Sequence, residues 1–135
     1  MNLVSTRIIT ANIKALVQFY EQVTSLKLVQ YTEDFAELKT KNATLAIGST
    51  RTLALFGGDH VAAAAWNRSV IIEFLVDDVD EVFNRISGNI KDSLVQKPTL
   101  MPWGNKSLLF RDPDGNLVNF FTPSTADAKK KSEAV

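Results

Sequence analysis

The strongest constraint on this chain is a pattern that runs twice. A strand is read at residues 3–10, and Asn12 is a good helix N-cap. Ile13, Leu16, Tyr20 and Val23, with Phe19 beside them, then mark one helix face. Short strands at 26–31, 35–40, 43–47 and 52–56 follow, divided by polar turns. After a linker at about 57–68 the order restarts with a strand at 69–76. Asp78 with Glu81 forms a capping box, Val79, Val82, Phe83 and Ile86 supply a helix face, and Gly88 suits the helix end. Weaker strands are read at 94–96, 107–111 and 117–121. The two helical starts lie about 65 residues apart, which predicts an internal duplication.

Composition narrows the function classes. Apolar residues make up 45% of 135, enough for a core. The formal charge is zero, so no basic excess argues for nucleic acid, and no apolar run argues for a membrane span. Residues 1–5 show no basic stretch followed by an apolar one, so the expected compartment is the cytoplasm. With no cysteine there is no disulfide, thiolate site or cysteine nucleophile, and the lone His60 excludes a site built on two imidazoles. His60 reads as a solvated loop residue. Residues 124–135 are small, charged and unpatterned, and are expected to be a disordered tail.

A further motif is the run Arg111-Asp112-Pro113-Asp114-Gly115-Asn116, which reads as a hairpin tip leading into a strand. Asp112 and Asp114 resemble a catalytic pair, but a tight turn makes such side chains backbone caps. Together with Phe19-Tyr20, Val76-Asp77-Asp78 and Pro102-Trp103-Gly104, in this order and spacing, the run resembles the vicinal-oxygen-chelate superfamily. That group includes glyoxalase I, extradiol dioxygenases, fosfomycin-resistance enzymes and bleomycin-resistance proteins. The resemblance implies an α+β fold of two tandem βαβββ modules forming a cup-shaped mixed sheet. A single glyoxalase-like domain would cover 1–123, with module 1 at about 3–56 and module 2 at about 69–123. It also implies a homodimer whose pockets are shared between chains.

Metal-dependent relatives hold a divalent cation with one His, Glu or Gln on each of four strands. Alignment through the motifs puts those positions at Ser5, Ala54, Ile71 and Asn119. None is an imidazole or a carboxylate, and a slip of one residue does not repair this, because Thr6, Leu53, Leu55, Ile72 and Val118 are also poor ligands. The expectation is therefore no metal and no other cofactor, which points to the bleomycin-resistance branch.

Strand alternation places Ser5, Arg7 and Ile9 toward the cup, with Thr52, Ala54 and Phe56, then Ile71, Glu73 and Leu75, then Leu117, Asn119 and Phe121. Glu73 interrupts an apolar strand, where an unpaired carboxylate is costly. It reads as a contact to a cationic or hydrogen-bonding ligand, as a structural ion pair with Arg7 across a dimer one partner, or as simple exposure at a wide cup mouth. Trp66 and Trp103 in loops are stacking platforms or interface anchors. The candidate ligand-binding set is Ser5, Arg7, Ala54, Phe56, Trp66, Ile71, Glu73, Trp103, Asn119 and Phe121. The expected function is metal-independent binding and sequestration of a small molecule, a drug or toxic aromatic metabolite. Two alternatives stay open: a metal-free lyase or isomerase using Glu73 as base, and a metal-dependent enzyme whose ligands are misaligned.

Overall fold

Asn12 starts the first helix by accepting a hydrogen bond from Ala15 N at 3.1 Å, and α1 runs Ile13–Thr24. Its apolar stripe of Leu16, Phe19, Tyr20 and Val23 is buried. Asp78 starts α2, Val79–Ile86, by accepting from Asp80 N and Glu81 N. The helix ends through Ser87 in the right-handed region, so Gly88 does not make a left-handed cap. The coordinates are a computed structural model that describes residues 1–58 and 60–133. Asp59 of the expected linker and the last two residues of the expected tail lie outside the described residues.

The chain divides into two compact units, Met1–Asn67 and Arg68 onward. In the first, β1 (Ser5–Thr10), β2 (Val29–Thr32), β3 (Phe35–Lys39) and β4 (Thr44–Ser49) form a sheet ordered β1-β4-β3-β2. In the second, β5 (Ile71–Leu75), β6 (Leu94–Leu100), β7 (Asn105–Arg111) and β8 (Leu117–Pro123) repeat that order as β5-β8-β7-β6. The first and last strands of each unit pair in parallel and the others antiparallel. The expected α+β fold of two βαβββ modules is what forms.

Each helix covers one face of its own sheet. Leu16, Tyr20, Ala36, Leu38 and Ile47 are fully buried in the first unit. In the second, Phe120 stands edge-on to Phe110 at 5.0 Å and to Phe74 at 5.3 Å. Such rings each contribute about 1.5–3 kcal/mol by burial. Thr122 Oγ accepts from Val79 N and donates to Val76 O, tying the β5–α2 junction to β8.

Three further expectations are corrected. The strand at 52–56 does not form: Thr50–Phe56 is a 3-10 helix. Ser49 caps it by accepting from Arg51 N, Thr52 Oγ donates back to Ser49 O, and Gly57 closes it at φ 106°. Local capping prevails because β4 already supplies the fourth strand. The β6 strand outlasts its expected end at 96 despite Pro98, because it is an edge strand with register shifts and leaves one side unpaired. Finally, the part of the tail expected to be disordered carries α3, Ala126–Glu133. Thr125 Oγ accepts from Ala128 N, and Ala128 is buried. Gly104, at φ 94°, accepts from Ser124 N and Thr125 N, and a Cβ there would collide with the Thr125 side chain.

Candidate functional site

The face of each sheet turned away from its helix, here the distal face, carries six of the candidate residues: Ser5, Arg7, Ile71, Glu73, Asn119 and Phe121. In β5 that face bears Ile71, Glu73 and Leu75, and in β8 Leu117, Asn119 and Phe121. Glu73 stands opposite Asn119, and Asn119 Nδ2 donates to Glu73 Oε2 at 2.8 Å. Glu73 is exposed, whereas Asn119 is only 9% exposed. The charge-assisted bond fixes the carboxylate without neutralising it. Glu73 has no cationic partner among the described residues. Ile71 and Phe121 flank the pair on the same face, Ile71 being 49% exposed.

The distal face of the first sheet is built differently. Arg7 stands opposite Ala46 on β4, and its guanidinium lies 4.7 Å from the Phe35 ring centre and 5.6 Å from that of Phe56. The small residues Ala46 and Gly48 leave room for its arm: a Cβ on Gly48 would meet Arg7 Cδ at 3.4 Å. Arg7 also has no carboxylate partner among the described residues. Cation–π stacking at an exposed site contributes about 0.5–1 kcal/mol. Phe56 reaches Arg7 from the 3-10 helix.

The remaining candidates are less well placed. Ala54 is exposed on the 3-10 helix, and the alternation that assigned it to a strand face does not apply there. Arg7 and Glu73 each precede their helix N-cap by five residues, so the counterpart of Asn119 in the first unit is Ala46 on β4. Ser5 is exposed opposite Thr44. Trp103 is 66% exposed at the β6–β7 turn and Trp66 is 79% exposed between the 3-10 helix and β5.

Other polar residues have structural work. Asp112 is 4% exposed and accepts from Asp114 N, Asn116 N and Asn116 Nδ2. It is the backbone cap expected of it. The Ser49 hydroxyl and the Arg51 guanidinium both bond Asp34 and hold its carboxyl below its ordinary value of 3.8. The hairpin motif therefore organises a turn, and the chemistry it brings near is that of β8.

Sequence reasoning missed Phe35, Gly48, Leu109 and Gln96. Leu109 stands opposite Asn119, and Gln96 opposite Leu109. Alternation gives no reliable face for Gln96, because the register of β6 shifts on both sides of it.

The architecture is that of the glyoxalases and their relatives. The chain belongs to the Glyoxalase/Bleomycin resistance protein/Dioxygenase superfamily, whose family model matches residues 2–120. It is similar to the structure of a glyoxalase/bleomycin resistance protein/dioxygenase family enzyme from Burkholderia phytofirmans PsJN. That match has 19% identity and a TM-score of 0.78, covering 91% of this chain and 99% of the other. A protein of unknown function from Agrobacterium tumefaciens str. C58 gives 24% identity and 0.76, covering 90% and 94%. A lactoylglutathione lyase, also from Agrobacterium tumefaciens, gives 22% and 0.65, covering 90% and 92%. At these identities the likeness carries the fold. No curated protein matches the chain. No described helix is long and apolar enough to cross a membrane.

Proposed function

We propose that this chain is a metal-independent small-molecule-binding member of its superfamily, which holds a drug or toxic aromatic metabolite without converting it. The observation that carries this reading is the Glu73–Asn119 pair, a carboxylate oriented by a largely buried amide between apolar neighbours. Ligand sites typically combine an apolar lining with a few oriented polar groups.

The donor set also favours it. With the second position moved to Ala46, the four aligned positions offer a hydroxyl, two side chains with no donor, and an amide. Taking Arg7 and Glu73 in place of Ser5 and Ile71 adds one carboxylate and one cation. Among the described residues no group of three or more His, Cys, Asp or Glu side chains could hold a metal ion. This set does not fit a divalent ion that needs several nitrogen or anionic oxygen donors.

We place the protein in the cytoplasm as a homodimer. Leu55, Phe56 and Trp66 are 88%, 59% and 79% exposed, which supports an apolar contact surface. Analytical ultracentrifugation checks the dimer. A thermal-shift screen of aromatic compounds with product analysis checks the function. A hit should raise the unfolding midpoint, stay chemically intact, and lose affinity in Glu73→Ala. Consumption of the compound that stops in Glu73→Ala would make the protein an enzyme with Glu73 as base.

A further inference from the structure

One register row crosses the second sheet, a residue from each strand, with Glu73, Asn119 and Leu109 on its distal face. Glu73 faces Asn119, Asn119 faces Leu109, and Leu109 faces Gln96. Two of the four carry buried amide oxygens, Asn119 Oδ1 and Gln96 Oε1, that accept no hydrogen bond among the described residues. Folded chains leave few buried acceptors unmet, and each one calls for an explanation.

The polarity of Asn119 is chemically determined. Its Nδ2 is held by the Glu73 carboxylate, which only accepts, so turning the amide over would set oxygen against oxygen. Oδ1 is therefore the free end. Glu73 adds a second acceptor group and a negative charge with no cationic partner among the described residues. Arg111 lies on the neighbouring rung, and its guanidinium donates to Gly115 O at 2.9 Å. The Asn119 oxygen and the Glu73 carboxylate thus stand together as acceptors, and Leu109 and Phe121 give them apolar sides.

We propose that this row is a subsite for a positively charged nitrogen group bearing several N–H donors, such as an amidinium or an ammonium, carried on an apolar body. The assignment rests on reading the face as ligand-binding, and adds Gln96 to its residues and a charge class to its ligand.

The test uses the full chain with three probes of similar shape: benzamidinium, benzamide and benzoate. Binding is followed by calorimetry and by amide signals of Glu73, Leu109 and Asn119 in heteronuclear NMR. Benzamidinium should bind at least about tenfold tighter than benzoate, and Glu73→Gln should weaken it about tenfold or more. Gln96→Leu should weaken it about threefold while leaving the unfolding midpoint unchanged or raised, because an unmet acceptor has been removed. Benzoate binding as tightly as benzamidinium would overturn the charge class alone and leave the face a binding site. A lowered midpoint with unchanged affinity in Gln96→Leu would make Gln96 structural and overturn its assignment. If none of the probes and no compound from the wider screen perturbs these signals, the inference and the proposed function fall together.

Discussion

The two sheets share one strand order and one helix placement, yet equivalent positions on their distal faces carry opposite chemistry. Five residues before the helix N-cap stands Arg7 in one unit and Glu73 in the other. Across from them on the parallel strand stand Ala46 and Asn119. The small alanine lets the arginine lie over its sheet and stack on Phe35 and Phe56. The asparagine reaches the glutamate and orients it. Duplication supplies a scaffold twice, and the pair on the first and last strands decides whether each face presents a stacked cation or an oriented anion.

The largest expected effect tests the feature found only in the second unit, its α3 extension. Gly104→Ala should destabilise the protein by about 1–3 kcal/mol, because the left-handed backbone and the Thr125 side chain both oppose a Cβ. Amide hydrogen exchange should show protection falling first at Ala128 and Lys129. Gly48→Ala tests the groove under Arg7. A Cβ there meets Thr52 Oγ at 3.2 Å, so chemical denaturation should show a loss of about 1 kcal/mol, with smaller change on the β5–β8 face. Arg7→Ala should cost about 0.5–1 kcal/mol and Arg7→Lys less, and ring-proton shifts of Phe35 and Phe56 should report the loss of stacking.

The smallest effect concerns acid stability. Hydrogen bonds from Ser49 and Arg51 depress the Asp34 pKa, so the unfolded chain takes up this proton at a higher pH than the folded one. The stabilisation is present above pH 3.8 and is lost as pH falls through the lower folded value. Asp34→Asn should flatten this part of the stability–pH curve, measured by thermal unfolding at a series of acidic pH values.

Much of the fold was legible because its signals are local. Asn12 and Asp78 cap the helices, the stripes from Leu16 and Val79 point inward, and Asp112 with Gly115 builds the hairpin turn. Residues 52–56 misled because a short apolar run after Thr52 suits a buried strand, while the bonds that prevail come from Ser49, Thr52 and Gly57. The α3 helix shows one buried side chain, Ala128, so hydrophobic periodicity could not reveal it. Its anchor is tertiary, the close approach to Gly104. The prominence of Glu73 was readable as a charge within an apolar strand. Its partner was not, because pairing Glu73 with Asn119 requires the β5–β8 register. Gln96 was hidden for the same reason, behind a bulged edge strand.

The central claim is that the distal face of the second sheet holds a small molecule through Glu73 and Asn119 with no ion between them. Elemental analysis of the purified, unchelated protein is the most direct test. The account predicts far less than one nickel, manganese, zinc or iron atom per chain, and no recovery of any activity on adding them. One tightly held transition-metal ion per chain, lost together with ligand binding in Glu73→Ala, would contradict it.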